Sequence, residues 1–122
     1  MYLEKITRKD LENLYNIRKN LSSFWKIKNL SGLFLIKDDN KTIGLISLRN
    51  NKDYVYINMI EIFKKKKGYS EKTVNLLLNT YDKQIKGVAK NEAEIFWIKM
   101  GAFFENSFKF TLPIKNRKWQ LK

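Results

Sequence analysis

A chain of 122 residues can form one domain around a single hydrophobic core, and this one carries a formal net charge of +13. The sequence has no cysteine and no histidine, which excludes thiolate or imidazole catalysis and the usual zinc, haem and iron–sulfur ligands, so no metal site is predicted. It contains neither an apolar run of the ~18 residues that a membrane span needs nor a signal-peptide pattern, so a cytoplasmic protein without membrane contact is expected.

Lysine supplies most of the positive charge, since arginine occurs only at Arg8, Arg18, Arg49 and Arg117. Lysine, asparagine and isoleucine are all abundant, and AT-rich codons favour these three residues, so the composition is typical of an AT-rich, bacterial-like genome. Genome bias therefore explains the net charge as readily as a nucleic-acid partner or an anionic cofactor does. A basic nucleic-acid-binding protein stays one hypothesis.

The first elements are a predicted strand and a predicted helix. Residues 2–6 fit a strand, and Thr7 and Asp10 have the spacing of a capping box that opens a helix. The helix is expected to direct one apolar face inward: Leu11, Leu14, Tyr15 and Leu21.

A second short helix is predicted over residues 22–30, and the Ser31-Gly32 pair breaks it. Two strands are predicted next, at residues 33–36 and 42–48. Residues 37–41 between them are rich in Asp, Asn and Lys, which favours a hairpin turn.

The following strand, residues 54–63, is apolar on both faces, as expected for a strand that helices cover on each side. Glu61 is its exception, because a carboxylate there is either solvated at the strand end or held near a ligand cleft. A helix is predicted over residues 71–81, with apolar residues at the spacing of one helical face: Val74, Leu77, Leu78 and Tyr81.

The segment between this strand and helix has the features of an anion-binding loop. A lysine run at residues 64–67 precedes Gly68, and Ser70 is placed to cap the helix. Backbone N–H groups at a helix N-terminus, the helix dipole and lysine side chains all favour a phosphate. The pattern fits neither a P-loop, whose lysine follows its second glycine, nor a dinucleotide fingerprint, which needs three glycines. A solvated basic turn is the alternative.

A second motif lies in a predicted late helix. Asn91 is placed to be its N-cap with Glu94 as the capping-box partner, and Gly101 is placed just past its end. One apolar stripe is expected on this helix: Ala93, Phe96, Trp97 and Met100. Three short strands are predicted around it: residues 85–88, 103–105 and 108–114.

Lys65-x-x-Gly68-x-Ser70 resembles the Arg/Gln-x-x-Gly-x-Gly/Ala pyrophosphate loop of the GNAT superfamily of acyl-CoA-dependent N-acetyltransferases. The segment from Asn91 to Phe103 is similar to the family's late helix, although Gly-Ala-Phe replaces the usual Gly-Phe and Trp97 stands where a Tyr is common. The resemblance covers nearly the whole chain. It implies a single GNAT-like α+β domain over residues 1–122, with a mixed, mostly antiparallel central sheet of six to seven strands flanked by about four helices.

The resemblance also implies acetyl-CoA as the cofactor and an amine as the acceptor. In this family an unpaired backbone N–H near the end of the fourth strand faces the thioester oxygen, and loop amides bind the pyrophosphate. The cofactor-binding residues implied here are Ile60, Ile62, Phe63, Lys65, Lys66, Lys67, Gly68, Tyr69, Ser70, Glu71, Asn91 and Trp97. Phe24 and Trp25 lie in the region that forms part of the family's acceptor site, so they are candidate pocket residues, with a core position as the alternative.

Proton transfer is harder to assign. A Tyr in the late helix commonly protonates the thiolate in this family, whereas Trp97 has only an indole N–H. Tyr54, Tyr56, Tyr69 or water are the remaining donors. Glu61 is the candidate catalytic base, because some family members place a carboxylate on the fourth strand. A surface or salt-bridged carboxylate is the alternative reading of Glu61.

The sequence therefore predicts an N-acetyltransferase that uses acetyl-CoA and acts on a primary amine of a small molecule, peptide or protein. A CoA-binding module of this fold without efficient catalysis is a second hypothesis, since Trp97 replaces the usual Tyr and histidine is absent. A nucleic-acid-binding protein and a plain interaction module are the others. The identity of the amine stays open, and a monomer or a homodimer is expected.

Overall fold

The computed structural model describes residues 1–17, 30–63, 68–89, 91–106 and 108–114, which contain seven strands and three α-helices. The strands are β1 (Tyr2–Lys5), β2 (Leu33–Asp38), β3 (Lys41–Asn50), β4 (Tyr54–Ile62), β5 (Gln84–Val88), β6 (Phe103–Phe104) and β7 (Lys109–Leu112). The helices are α1 (Arg8–Ile17), α2 (Tyr69–Tyr81) and α3 (Glu94–Lys99). No helix in these described ranges is long and apolar enough to cross a membrane.

The seven strands form one sheet with the order β1-β2-β3-β4-β5-β7-β6. Every neighbouring pair is antiparallel except β4 and β5, which run parallel and are connected through α2. The predicted α+β class with a mixed, mostly antiparallel sheet is confirmed. The described helices number three, whereas about four were predicted, and the helix predicted over residues 22–30 lies outside the described residues.

Alternate strand residues fill two hydrophobic clusters on opposite faces of the sheet. Leu45 of β3 belongs to the cluster that contains Leu11 of α1, while the next residue, Ile46, belongs to the larger cluster beneath α2 and α3. The larger cluster contains the predicted inner face of α2: Val74, Leu77 and Leu78. The apolar periodicity of residues 71–81 therefore predicted that helix correctly.

The predicted capping box is present at the start of α1. The Asp10 N–H donates to Thr7 Oγ1, and the Thr7 N–H donates to Asp10 Oδ2, each at 3.1 Å. The Asp10 N–H lies in the first turn of α1 and has no acceptor within the helix, so the Thr7 hydroxyl satisfies it. The pair of bonds therefore defines where α1 begins. Leu11 follows and is fully buried.

The β2–β3 hairpin extends further than predicted because its turn is tighter. Asp39 and Asn40 have positive φ angles of 50° and 67°, which match a two-residue hairpin turn. Lys37 and Lys41, which the sequence placed in the turn, therefore lie in the strands.

α3 starts later than predicted. A 3-10 turn over Asn91–Ala93 comes first, and Ala93 stands at the N-cap without a side-chain hydrogen bond. The predicted N-cap position at Asn91 is therefore wrong, because the tight turn moves the start of the α-helix to Glu94. The predicted C′ residue is confirmed, since Gly101 follows the helix with a left-handed φ of 98°.

Candidate active site

A cleft opens between the parallel strands β4 and β5. Their pairing covers only residues 54–56 against residues 84–86, although β4 continues to Ile62. Ile57 and Met59 oppose consecutive residues of β3, so Asn58 is the extra residue of a bulge at the point where the two strands separate. A bulge bends its strand and increases the twist, which accounts for the divergence.

The divergence leaves one edge of β4 without a paired strand among the described residues. On the other edge the Phe63 N–H donates to the Ile43 C=O at 2.7 Å, so Phe63 and Glu61 direct their backbone groups toward β3. By alternation, Ile60 and Ile62 direct theirs into the cleft. Of the β4 residues predicted to bind the cofactor, Ile60 and Ile62 therefore direct backbone groups into the cleft, whereas Phe63 does not.

α2 starts at the open end of this cleft. Its N-cap is Gly68, which has a φ of 91°, and no side chain caps the helix. The predicted cap at Ser70 is wrong, because the left-handed Gly68 already ends the loop and places Ser70 inside the helix. The first helical hydrogen bond runs from the Lys72 N–H to the Gly68 C=O at 2.9 Å, so the N–H groups of Ser70 and Glu71 have no acceptor within the helix.

The described residues leave space at the start of α2. A Cβ added to Gly68 would meet no atom of theirs within 4 Å, and Ser70 and Glu71 are exposed. Tyr69, by contrast, is only 8% exposed and packs in the core. A helix N-terminus with exposed N–H groups attracts anions. Five predicted site residues lie outside the described residues: Lys65, Lys66, Lys67, Phe24 and Trp25.

A cavity of about 370 Å³ lies beside the narrow end of the cleft. The strand register places Arg49, Tyr56, Lys86 and Thr111 side by side across β3, β4, β5 and β7. Val55 and Ile57 of β4 alternate with the tyrosines and point into the larger core cluster beneath α2 and α3. The cavity is therefore on the opposite face of the sheet. The cavity wall includes Arg49, Tyr54, Tyr56, Lys86, Glu105 and Thr111.

Hydrogen bonds hold one side of this cavity together. Lys86 Nζ donates to Thr111 Oγ1 at 3.1 Å and to Glu105 Oε1 at 3.3 Å, and the Thr111 hydroxyl donates to Glu105 Oε1 at 3.0 Å. The hydrogen bond from Thr111, followed by the hydrogen bond and charge of Lys86, lowers the pKa of Glu105 below its usual value. This exposed carboxylate is therefore ionised at neutral pH.

The candidate base Glu61 is half-buried on the diverging part of β4. Its Oε2 atom is shielded from solvent and has no hydrogen-bond partner in the described part of the chain. Glu61 does not line the cavity that contains Tyr54 and Tyr56, so the structure does not bring these predicted proton-transfer groups together. Across the ranges that are described, no group of three or more acidic side chains lies close enough to hold a metal ion.

Trp97 lies in the hydrophobic core with 6% of its surface exposed. Its ring stacks on Phe110 with the centroids 4.1 Å apart and meets Phe96 edge-on at 5.3 Å. The predicted apolar stripe of α3 is confirmed, because Ala93, Phe96 and Met100 pack on the same cluster. Burial leaves little indole surface for a ligand, so a contact between Trp97 and the cofactor stays a prediction, as does one from Asn91.

Arg49, Lys86 and Thr111 were not predicted as site residues. Tyr54 and Tyr56 were named as candidate proton donors. They alternate with buried aliphatic residues of β4, and this local pattern indicated that the two tyrosines lie on the sheet face opposite the larger core cluster. The other three side chains belong to β3, β5 and β7 and meet only through strand pairing. Local sequence patterns do not reveal that register.

Comparison with known proteins extends these observations. No protein-family model and no curated protein sequence matches the chain. Solved structures do match. A Bacteroides thetaiotaomicron protein assigned to the GNAT acetyltransferase family has 13% identity and a TM-score of 0.67, with 99% of this chain and 92% of that chain covered. Tetrahymena GCN5 has 12% identity and a TM-score of 0.66, with 93% and 96% covered.

A third match is N-acetylglutamate synthase from Neisseria gonorrhoeae, solved with coenzyme A and L-arginine, at 10% identity and a TM-score of 0.68. It covers 93% of this chain and 33% of the longer synthase. At such identities the shared property is the fold alone. The structural matches agree with the diverging parallel strands β4 and β5 and with the helix α2 that connects them. The chain has the fold of the GNAT acetyltransferases.

Proposed function

We propose that this protein is an N-acetyltransferase that moves an acetyl group from acetyl-CoA to a primary amine. The observation that carries the proposal is the cleft between β4 and β5, which opens toward the N-terminus of α2. An unpaired strand edge beside an anion-attracting helix end suits a thioester that carries a pyrophosphate. The gonococcal synthase, which has the same fold, was solved with coenzyme A, and this supports the choice of ligand.

The residues proposed to bind acetyl-CoA form two groups. The N–H groups of Ser70 and Glu71, beside Gly68, whose Cβ position no described residue occupies, suit the pyrophosphate. The cleft-facing backbone of Ile60 and Ile62 suits the pantetheine and the acyl carbonyl. Both groups act through backbone atoms, so they require few particular side chains, and identities of 10–13% to the matched structures are compatible with the same use of the fold.

Acyl transfer to an amine needs a neutral nucleophile, a stabilised oxyanion and a proton for the departing thiolate. The amine first adds to the thioester carbonyl, so that the carbon–nitrogen bond forms as the carbonyl π bond opens to an oxyanion, which a cleft-facing N–H of β4 stabilises. The carbonyl then re-forms as the carbon–sulfur bond breaks and the thiolate leaves. Glu61, whose Oε2 has no partner among the described residues, is proposed to accept the amine proton through water. Tyr54 and Tyr56 line the neighbouring cavity, apart from Glu61, so the proton for the thiolate is proposed to come from water or from one of these two phenols.

Acetyl-CoA is expected to raise the melting temperature of the protein, while NAD and ATP raise it far less. A ligand at 100 times its dissociation constant adds about 2.7 kcal/mol to the free energy of unfolding, which corresponds to roughly 10 °C for a domain of this size. Thermal denaturation followed by circular dichroism measures the shift. No shift at millimolar acetyl-CoA would contradict the proposed ligand.

Gly68→Asp is expected to weaken acetyl-CoA binding about tenfold or more, because a carboxylate at the start of α2 repels the pyrophosphate. A Cβ at this position meets no atom of the described residues within 4 Å, and Asp tolerates a left-handed backbone, so the fold should persist. Lys52→Ala, on the exposed turn before β4, changes the net charge by the same amount and is the matched control. Equal losses of affinity in both variants, measured by calorimetry, would indicate diffuse electrostatics instead of a binding loop.

A further inference from the structure

The cavity beside the cleft has an excess of positive charge. Arg49, Lys86 and Lys109 line it, and Glu105 is the one acidic residue among its described lining residues. Lys86 and Glu105 form an ion pair at 3.3 Å, so their charges offset each other. Arg49 and Lys109 are the cations that remain for a ligand.

Arg49 is the better placed of the two. Its guanidinium carbon lies 4.9 Å from the centroid of the Tyr56 ring, and it has no acidic partner within the described part of the chain. This cation–π contact holds the guanidinium over the ring, while its N–H groups stay available to a ligand. Those groups match the two oxygens of a carboxylate, which an arginine binds through two parallel hydrogen bonds.

The position of Arg49 relative to the cleft limits which kind of ligand can carry this carboxylate. Arg49 pairs with Tyr56, and Tyr56 pairs with Lys86 in the last step before β4 and β5 diverge. A ligand whose carboxylate contacts Arg49 can therefore extend its other end to the narrow end of the cleft. Under the proposed function, the group that reaches the cleft is the amine that receives the acetyl group.

We propose that the acceptor is a small amine that also carries a carboxylate, such as an amino acid, and that Arg49 binds this carboxylate. The inference rests on the proposed acetyltransferase function. A volume of about 370 Å³ suits a small molecule, and the aromatic walls formed by Tyr54 and Tyr56 accommodate its carbon chain. Arg49 then acts as a specificity residue that does not take part in bond making.

The test is a direct binding measurement by calorimetry, with and without coenzyme A. The ligands are L-leucine, 4-aminobutanoate and 6-aminohexanoate, each against its own carboxamide. At least one acid is expected to bind about tenfold more tightly than its carboxamide, and Arg49→Gln to reduce that preference to about twofold or less. Arg49→Lys retains the charge without the planar fork and should lose most of the preference. Lys52→Gln removes the same charge from an exposed turn and should retain it.

Equal affinity of acid and carboxamide, no binding of any acid up to about 50 mM, or an unchanged preference in Arg49→Gln would each overturn the inference. Circular dichroism confirms that the variants are folded, which is expected because Arg49 is exposed. The same titrations report coenzyme A binding separately. If coenzyme A binds and the carboxylate preference is absent, this inference alone fails. If the preference is present and coenzyme A does not bind, the proposed function fails and the carboxylate site stands.

Discussion

Trp97→Ala is expected to lower the free energy of unfolding by about 3–5 kcal/mol. The indole is 6% exposed, and its stacking on Phe110 joins α3 to β7 within the larger core cluster. Truncation removes a large buried apolar area and leaves a cavity that the surrounding strands fill only in part. Urea denaturation followed by circular dichroism measures the change.

The matched control is Ile98→Ala, the next residue on α3, which is 54% exposed and is expected to change stability by only about 0.5 kcal/mol. Equal losses in the two alanine variants would contradict the core position of the indole. Trp97→Phe retains a ring on Phe110 and tests the other role predicted for this residue. A fall in acetyl-CoA affinity in Trp97→Phe, with stability largely retained, would show that the indole contacts the cofactor as well.

Glu61→Gln is expected to lower the turnover number ~10²-fold or more while the affinity for acetyl-CoA changes little. The substitution keeps the shape of the side chain and removes the carboxylate that is proposed to accept the amine proton. The fall in rate toward acidic pH, which protonation of that carboxylate would cause, should also disappear from the pH profile. Steady-state kinetics across pH measure both effects.

Glu4→Gln, an exposed position on β1, provides the matched control and should leave the rate unchanged. A decrease below about threefold in Glu61→Gln, with the acidic part of the pH profile intact, would reject Glu61 as the base. Glu61 would then be a structural carboxylate at the end of β4. The proton would have to leave by another route, and Tyr56→Phe would be the next variant to measure.

Elements with a strong local signal were predictable from the sequence. The capping box at Thr7 and Asp10 defined the start of α1, and apolar periodicity defined α2 and the inner face of α3. Local signals failed at the starts of α2 and α3. There the backbone conformation decided the boundary, through the left-handed Gly68 and the 3-10 turn that begins at Asn91.

The site was less predictable than the fold. The strand and helix that flank the cleft between β4 and β5 were identified from their sequence patterns, but the bulge at Asn58, where the two strands diverge, has no local sequence signature. Arg49 and Lys86 are separated along the chain and meet through the pairing of β3, β4 and β5. Such a cavity depends on the register of several strands, so it requires the structure.

The most direct test of the central claim is a thiol-release assay with acetyl-CoA and a panel of primary amines, in which mass spectrometry identifies the product. The proposed function predicts thiol release that depends on the amine and an N-acetylated product in equal amount. Saturable coenzyme A binding without amine-dependent thiol release would contradict catalysis and leave a CoA-binding module of the GNAT fold.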